Sequence, residues 1–159
     1  MADSYEITQR LGALATVYDV RGAKDTEPSI TVKGSFATAT PKFELVENKD
    51  NKVSAALKGN VVKTKFQITN DKGAELATLN FAAVSLTKSL TMTVGAKGYH
   101  AKAGLLGGTF ECADNDGNVA LSIVKEEGLR DKFRVEIKGD IHRDVALLAA
   151  VAIHSRFYE

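Results

Sequence analysis

Three kinds of side chain here could do chemistry: one cysteine, three histidines and the carboxylates of Asp114-Asn-Asp-Gly117. Cys112 alternates in phase with Phe110, which puts its thiol on an inward row as a small hydrophobe, away from any role as an exposed nucleophile. His100, His142 and His154 are far apart and lack the spacing of a metal-ligand set. His154 follows an apolar run, where packing or a charge interaction fits better than ligation. An EF-hand loop carries its glycine at the sixth position, which would make Cys112 the first calcium ligand. Asp114-Asn-Asp-Gly117 therefore reads as a hairpin turn, because Asp-Gly readily adopts positive φ. Gly104-Leu-Leu-Gly-Gly108 lacks the lysine and hydroxyl that end a P-loop and is followed by a strand pattern, so it reads as a turn or bulge. No serine sits in a nucleophile turn. The expectation is a protein that is not an enzyme, with no cofactor and no metal.

Charge is the remaining lead. Lys63 and Lys65 alternate with Val62, Thr64 and Phe66, and Lys132 and Arg134 alternate with Phe133 and Val135. Both pairs are expected on outward strand faces. If related parts of the chain occupy related places, Lys63, Lys65, Lys132 and Arg134 line one site for an anionic lipid headgroup. Overall charge gives no broader help: 21 basic and 20 acidic residues leave a formal net charge of +1. That balance argues against nucleic acid as a partner, which calls for a basic excess.

The elements that must position these side chains are short strands. Tyr18 and Val20, Ile30 and Val32, Phe43 and Leu45, Ala55 and Leu57, Phe66 and Ile68, Leu90 and Met92, and Phe133 and Val135 each recur at the two-residue period of a half-buried strand. About a dozen such strands are expected, in a meandering antiparallel order. The segment Phe66-Gln-Ile-Thr-Asn-Asp-Lys-Gly73 resembles Phe110-Glu-Cys-Ala-Asp-Asn-Asp-Gly117, and Phe43-Glu-Leu-Val-Glu-Asn-Lys-Asp50 is a looser copy. Each copy is a hairpin with one apolar face that it cannot bury alone.

The last pattern is different. Val145 to Ile153 is unbroken apolar sequence rich in Leu and Ala, which favour helix. A helix apolar on all sides must be enclosed. Its length is about half of the roughly 20 residues that span a bilayer, so protein must enclose it. A helix over residues 144 to 156 is expected, capped by Asp144, with Arg156 at its negative end and Leu147, Leu148 and Val151 buried. One domain over residues 1–159 suits this length. The start of the chain has no secretory pattern and a lone cysteine fits a reducing compartment, so a cytoplasmic location is expected.

The chain resembles the LURP-one-related proteins of the tubby C-terminal-like superfamily. The likeness is carried by Tyr5-Glu-Ile-Thr-Gln-Arg10, Val32-Lys-Gly34, Lys42-Phe-Glu-Leu45, Leu57-Lys58, Asp71-Lys-Gly73, Asp116-Gly117, Asp131-Lys-Phe133 and Asp144 to Ile153. Their order spans nearly the whole chain. Lys125-Glu-Glu-Gly-Leu-Arg130 departs from the pattern, lacking the tryptophans many relatives carry there. The resemblance implies a closed antiparallel barrel of about twelve strands around a central hydrophobic C-terminal helix. Phosphoinositide-binding tubby domains and phospholipid scramblases belong to the same superfamily. A peripheral, lipid-linked and non-enzymatic role follows as the implied function. The alternative is a structural domain that contacts an unknown protein partner without lipid. A small-ligand carrier is disfavoured, because the helix would fill the space a carrier needs.

Overall fold

The computed structural model describes residues 3–10, 14–35, 39–82, 88–103, 108–126 and 131–158. Most of the Gly104–Gly108 stretch, and residues 127–130 of the stretch that departs from the family pattern, lie outside them. The strands are β1 (Asp3–Gln9), β2 (Val17–Gly22), β3 (Ile30–Gly34), β4 (Lys42–Glu47), β5 (Lys52–Gly59) and β6 (Lys65–Asn70). They continue with β7 (Glu75–Phe81), β8 (Ser89–Val94), β9 (Lys97–Ala103), β10 (Thr109–Ala113), β11 (Val119–Glu126) and β12 (Lys132–Ile137). One helix follows, α1 (Arg143–Phe157). Each strand pairs antiparallel with its neighbours in sequence, and β1 pairs with β12 to close the ring. Closure leaves no unpaired edge. The dozen antiparallel strands are those the alternating rows predict, and their closure into a barrel with a C-terminal helix is what the resemblance implies.

The inward rows form stacked layers. Tyr18, Phe43, Phe66, Leu90, Phe110 and Phe133 each occupy the second position of an even-numbered strand, and all are buried. Two residues on, Val20, Leu45, Ile68, Met92, Cys112 and Val135 form the next layer. The repeat seen in the sequence is therefore a hairpin unit that recurs around the ring. The three matching copies even share a defect. The register shifts after Leu45 in β4, after Ile68 in β6 and after Cys112 in β10, two residues beyond the phenylalanine in each case. A bulge at that point tightens the local twist before the turn, as closing a barrel requires.

The turns follow the same logic. Gly73 and Gly117 take φ values of 82° and 84°, in the left-handed region where glycine carries no steric cost. Asn70 Oδ1 accepts from the N–H groups of Lys72 and Ala74, and Asp114 Oδ1 accepts from those of Asp116 and Asn118. Asp114-Asn-Asp-Gly117 is the hairpin turn expected. The Asn118 N–H, joined by the Asp116 N–H and Lys97, holds the Asp114 carboxyl below its ordinary range.

The helix lies in the barrel, with every residue from Val145 to Ile153 at most 2% exposed. Its cap differs from the expectation. His142 is the N-cap, its Nδ1 accepting from the Asp144 N–H at 3.1 Å, while Asp144 sits inside the first turn. Asp144 is buried and accepts from Ser54 Oγ at 3.0 Å and Arg143 Nε at 3.1 Å. Arg143 also pairs with Glu47. A carboxylate so well partnered can be buried near the positive end of a helix, and it fastens α1 to β5.

One close approach sets a stability test. A Cβ on Gly59 would lie 2.6 Å from the ring of Phe66, which is fully buried across the strand pair. Gly59→Ala must push that ring into a filled core, costing about 1–3 kcal/mol. Thermal denaturation should show a clear fall in Tm, and an unchanged Tm would mean the ring has room to move.

Candidate functional site

The functional lead from the sequence was basic, and the fold sorts those residues decisively. Lys63 is not on a strand row. It lies in the turn between β5 and β6 with φ 56°, and Val62 beside it is 64% exposed. The alternation breaks there because Asn60 braces a turn: its Oδ1 accepts from the N–H groups of Thr64 and Lys65, and its Nδ2 donates to Thr64 Oγ1. Lys63 Nζ reaches over the rim and donates to the Ser155 carbonyl at 2.9 Å. A cation is favoured there, at the negative end of the α1 dipole.

Lys65 begins β6 and points outward, and other lysines collect near it. Lys58 in β5 stands opposite Gln67, two residues from Lys65. Lys42 in β4 stands directly opposite Lys58, and Lys33 in β3 is opposite Glu44. Lys33, Lys42, Lys58 and Lys65 are all exposed. A like-charged pair placed directly across two strands is unfavourable. Glu44 is a carboxylate inside the group, opposite Lys33. Asp19 on one flank is held by Arg10 at 2.6 Å. On the other, the Thr78 hydroxyl, with Gln67 and the charge of Lys65, holds the Glu75 carboxyl below its ordinary range, so Glu75 partly offsets Lys65. Five lysines thus gather on the rim at which α1 ends.

Beside them is a cavity of about 210 Å³ whose lining includes Thr16, Ser35, Thr40, Lys42, Lys63 and Ser155. It offers hydroxyls and ammonium groups, the donors that an anionic oxygen needs. Ser155 Oγ, in a residue 1% exposed, has no hydrogen-bond partner among the described residues.

Lys132 and Arg134 do point outward from β12, as the alternation predicts, yet they do not join this group. In the ring order β12 stands half-way round from β6. They are also neutralised: Lys132 lies 3.5 Å from Glu6, and Arg134 lies 3.2 Å from Glu126 and 3.5 Å from Glu136. The four candidate residues therefore do not form one site. Lys63 and Lys65 belong to a cluster with Lys33, Lys42 and Lys58, which the sequence reading passed over. Each of those three lies within one residue of a strand end and next to a buried residue, so the signal was present, but it lay scattered over three segments.

The rim belongs to a known architecture. The chain shares its fold with a protein from Arabidopsis thaliana. That protein, solved by X-ray crystallography, superposes with a TM-score of 0.62 at 12% sequence identity, over 94% of this chain and 88% of the other. No family model matches the chain, and no curated protein matches it. The likeness is one of fold: a barrel domain with a C-terminal helix, common to both chains.

The other candidate groups are built into the core. Burial pushes the Cys112 thiol up to about 12, so at neutral pH it carries no thiolate. His154 is buried between Tyr18, whose hydroxyl is 2.6 Å from Nδ1, and Asp131, whose Oδ2 is 2.9 Å from Nε2. The Tyr18 side chain is enclosed as well, and Asp131, with its side chain 37% exposed, is the member of this row of three that meets the surface. It ties the end of α1 to β2 and to the residue just before β12. Among the described residues, no group of three His, Cys, Asp or Glu side chains is placed to hold a metal ion. No helix among them is long and apolar enough to cross a membrane.

Proposed function

We propose that this chain is a non-enzymatic, LURP-one-like domain that binds anionic phospholipid at the cytoplasmic surface of a membrane. The observation that carries the reading is the rim cluster of Lys33, Lys42, Lys58, Lys63 and Lys65 beside a hydroxyl-lined cavity. Lipid headgroups present phosphate oxygens, and a basic residue near an anionic leaflet contributes about 1 kcal/mol. The fold shared with the Arabidopsis protein supports the family side of the reading. A filled barrel interior supports a surface site over an internal carrier pocket.

Co-sedimentation with vesicles tests it. The protein should pellet with vesicles of equal parts phosphatidylcholine and phosphatidylserine, stay in solution with pure phosphatidylcholine, and be released as salt rises, because screening shortens the reach of exposed charge. Binding that ignores lipid charge, or no binding at all, would favour a domain that contacts a protein partner instead.

A further inference from the structure

Among the described residues, the exposed large hydrophobic side chains are Leu14 at 90%, Val61 at 67% and Val62 at 64%. All three lie at the end of the barrel where α1 finishes. Leu14 precedes β2, and Val61 and Val62 cap the turn after β5, three strand positions round the ring from β2. At the usual spacing of neighbouring strands, that is about 14 Å along the rim. Thr16 and Val61 line the same cavity as Lys42 and Lys63. The apolar tips therefore flank the lysine cluster.

The valine tip is held outward by design of its turn. Lys63 N–H donates to the Asn60 carbonyl at 3.1 Å, and the Asn60 side chain fixes the residues that follow. Val61 and Val62 stay about two-thirds exposed, while Lys58, Lys63 and Lys65 flank them along the chain. Scattered apolar residues on a protein surface are ordinary. Two on one rigid tip, with a third on the same rim and cations between, match a membrane interface, where apolar side chains enter below the headgroups and basic ones meet the phosphates. A protein partner or a second copy would also cover apolar side chains. The unbalanced positive charge at this rim, however, opposes a like-charged copy and complements an anionic bilayer.

We infer that Leu14, Val61 and Val62 insert into the acyl boundary of an anionic membrane, so that the barrel docks end-on with the C-terminus of α1 facing the lipid. This rests on the lipid-binding reading above and adds to it an orientation and an apolar anchor. Charge alone would let the protein lie on the surface in many poses.

The test uses the full chain with Val62→Cys carrying an environment-sensitive fluorophore; the buried Cys112 thiol leaves the new site as the reactive one. On vesicles of equal parts phosphatidylcholine and phosphatidylserine, the emission should shift to the blue and be quenched by lipids brominated on their acyl chains. In unlabelled protein, Leu14→Ser/Val61→Ser/Val62→Ser should weaken vesicle binding about tenfold, as loss of a few partly inserted apolar groups requires, and leave Tm unchanged. Salt-sensitive binding of the parent, with a fluorophore still open to aqueous iodide and a triple variant that binds equally well, would overturn the insertion and leave the lipid reading intact. A triple variant that instead abolishes a dimer in sedimentation velocity would assign these side chains to a second copy and overturn the inference. Failure of the parent to bind anionic vesicles would overturn both.

Discussion

Leu148→Asp should leave no cooperatively folded protein. Leu148 is fully buried at the middle of α1, with apolar residues of the helix on either side of it and the inward strand rows around it. Leu148→Ala alone would cost about 2–5 kcal/mol through lost burial and the space left behind. A carboxylate at that position loses the same packing and adds a second cost. Either it stays charged without a partner, at several kcal/mol, or it takes up a proton. From an ordinary aspartate pKa near 3.9, protonation at pH 7 costs about 4 kcal/mol. The sum reaches the total stability of a typical domain, about 5–15 kcal/mol. Near-ultraviolet circular dichroism and urea titration would read the outcome. A soluble variant with a sharp unfolding transition would show that α1 does not need an apolar barrel around it. Removing the chain from Asp144 onward should be no milder, since each inward strand row would then lose the surface it packs against.

The second large effect concerns binding. Lys33→Ala/Lys42→Ala/Lys58→Ala/Lys65→Ala should weaken association with anionic vesicles by at least about a hundredfold, since four basic residues at about 1 kcal/mol each contribute roughly 4 kcal/mol. Lys63 is left in place in this variant because its ammonium serves the end of α1 as well as the rim. Stability should hold or rise slightly, because exposed charges contribute little to folding and the Lys42–Lys58 repulsion disappears. Lys132→Ala/Arg134→Ala is the control. Both side chains are paired with glutamates on the far side of the ring, so that variant should bind as the parent does. Equal binding by the four-lysine variant and the parent would move the site elsewhere on the surface. Loss in the control instead would place it on β12.

The different fates of the two lysine pairs show where local sequence stops being informative. Lys132 and Arg134 face outward as read, because a strand's alternation is a local property: the backbone reverses direction at every residue, and a buried phenylalanine settles the rest. Lys63 defeated the same reading because Asn60 offered its side chain to the backbone of Thr64 and Lys65, and that contact replaced strand pairing with a turn. The cap of α1 moved for a similar reason. Asp144 had the right chemistry for it, yet its carboxylate found Ser54 and Arg143, and His142 was left to take the cap.

By itself the sequence determined the strand rows, the Asp-Gly hairpin turn, the recurring hairpin unit and an enclosed C-terminal helix. Each of these depends on side chains a few residues apart, or on a run too apolar for water and too short for a bilayer. Only the tertiary structure decided that β6 and β12 stand on opposite sides of the ring, that Lys42 faces Lys58, and that Val61 shares a rim with Leu14. Those neighbours come from strand order and register, which are set when the whole ring closes and the inward rows meet the helix.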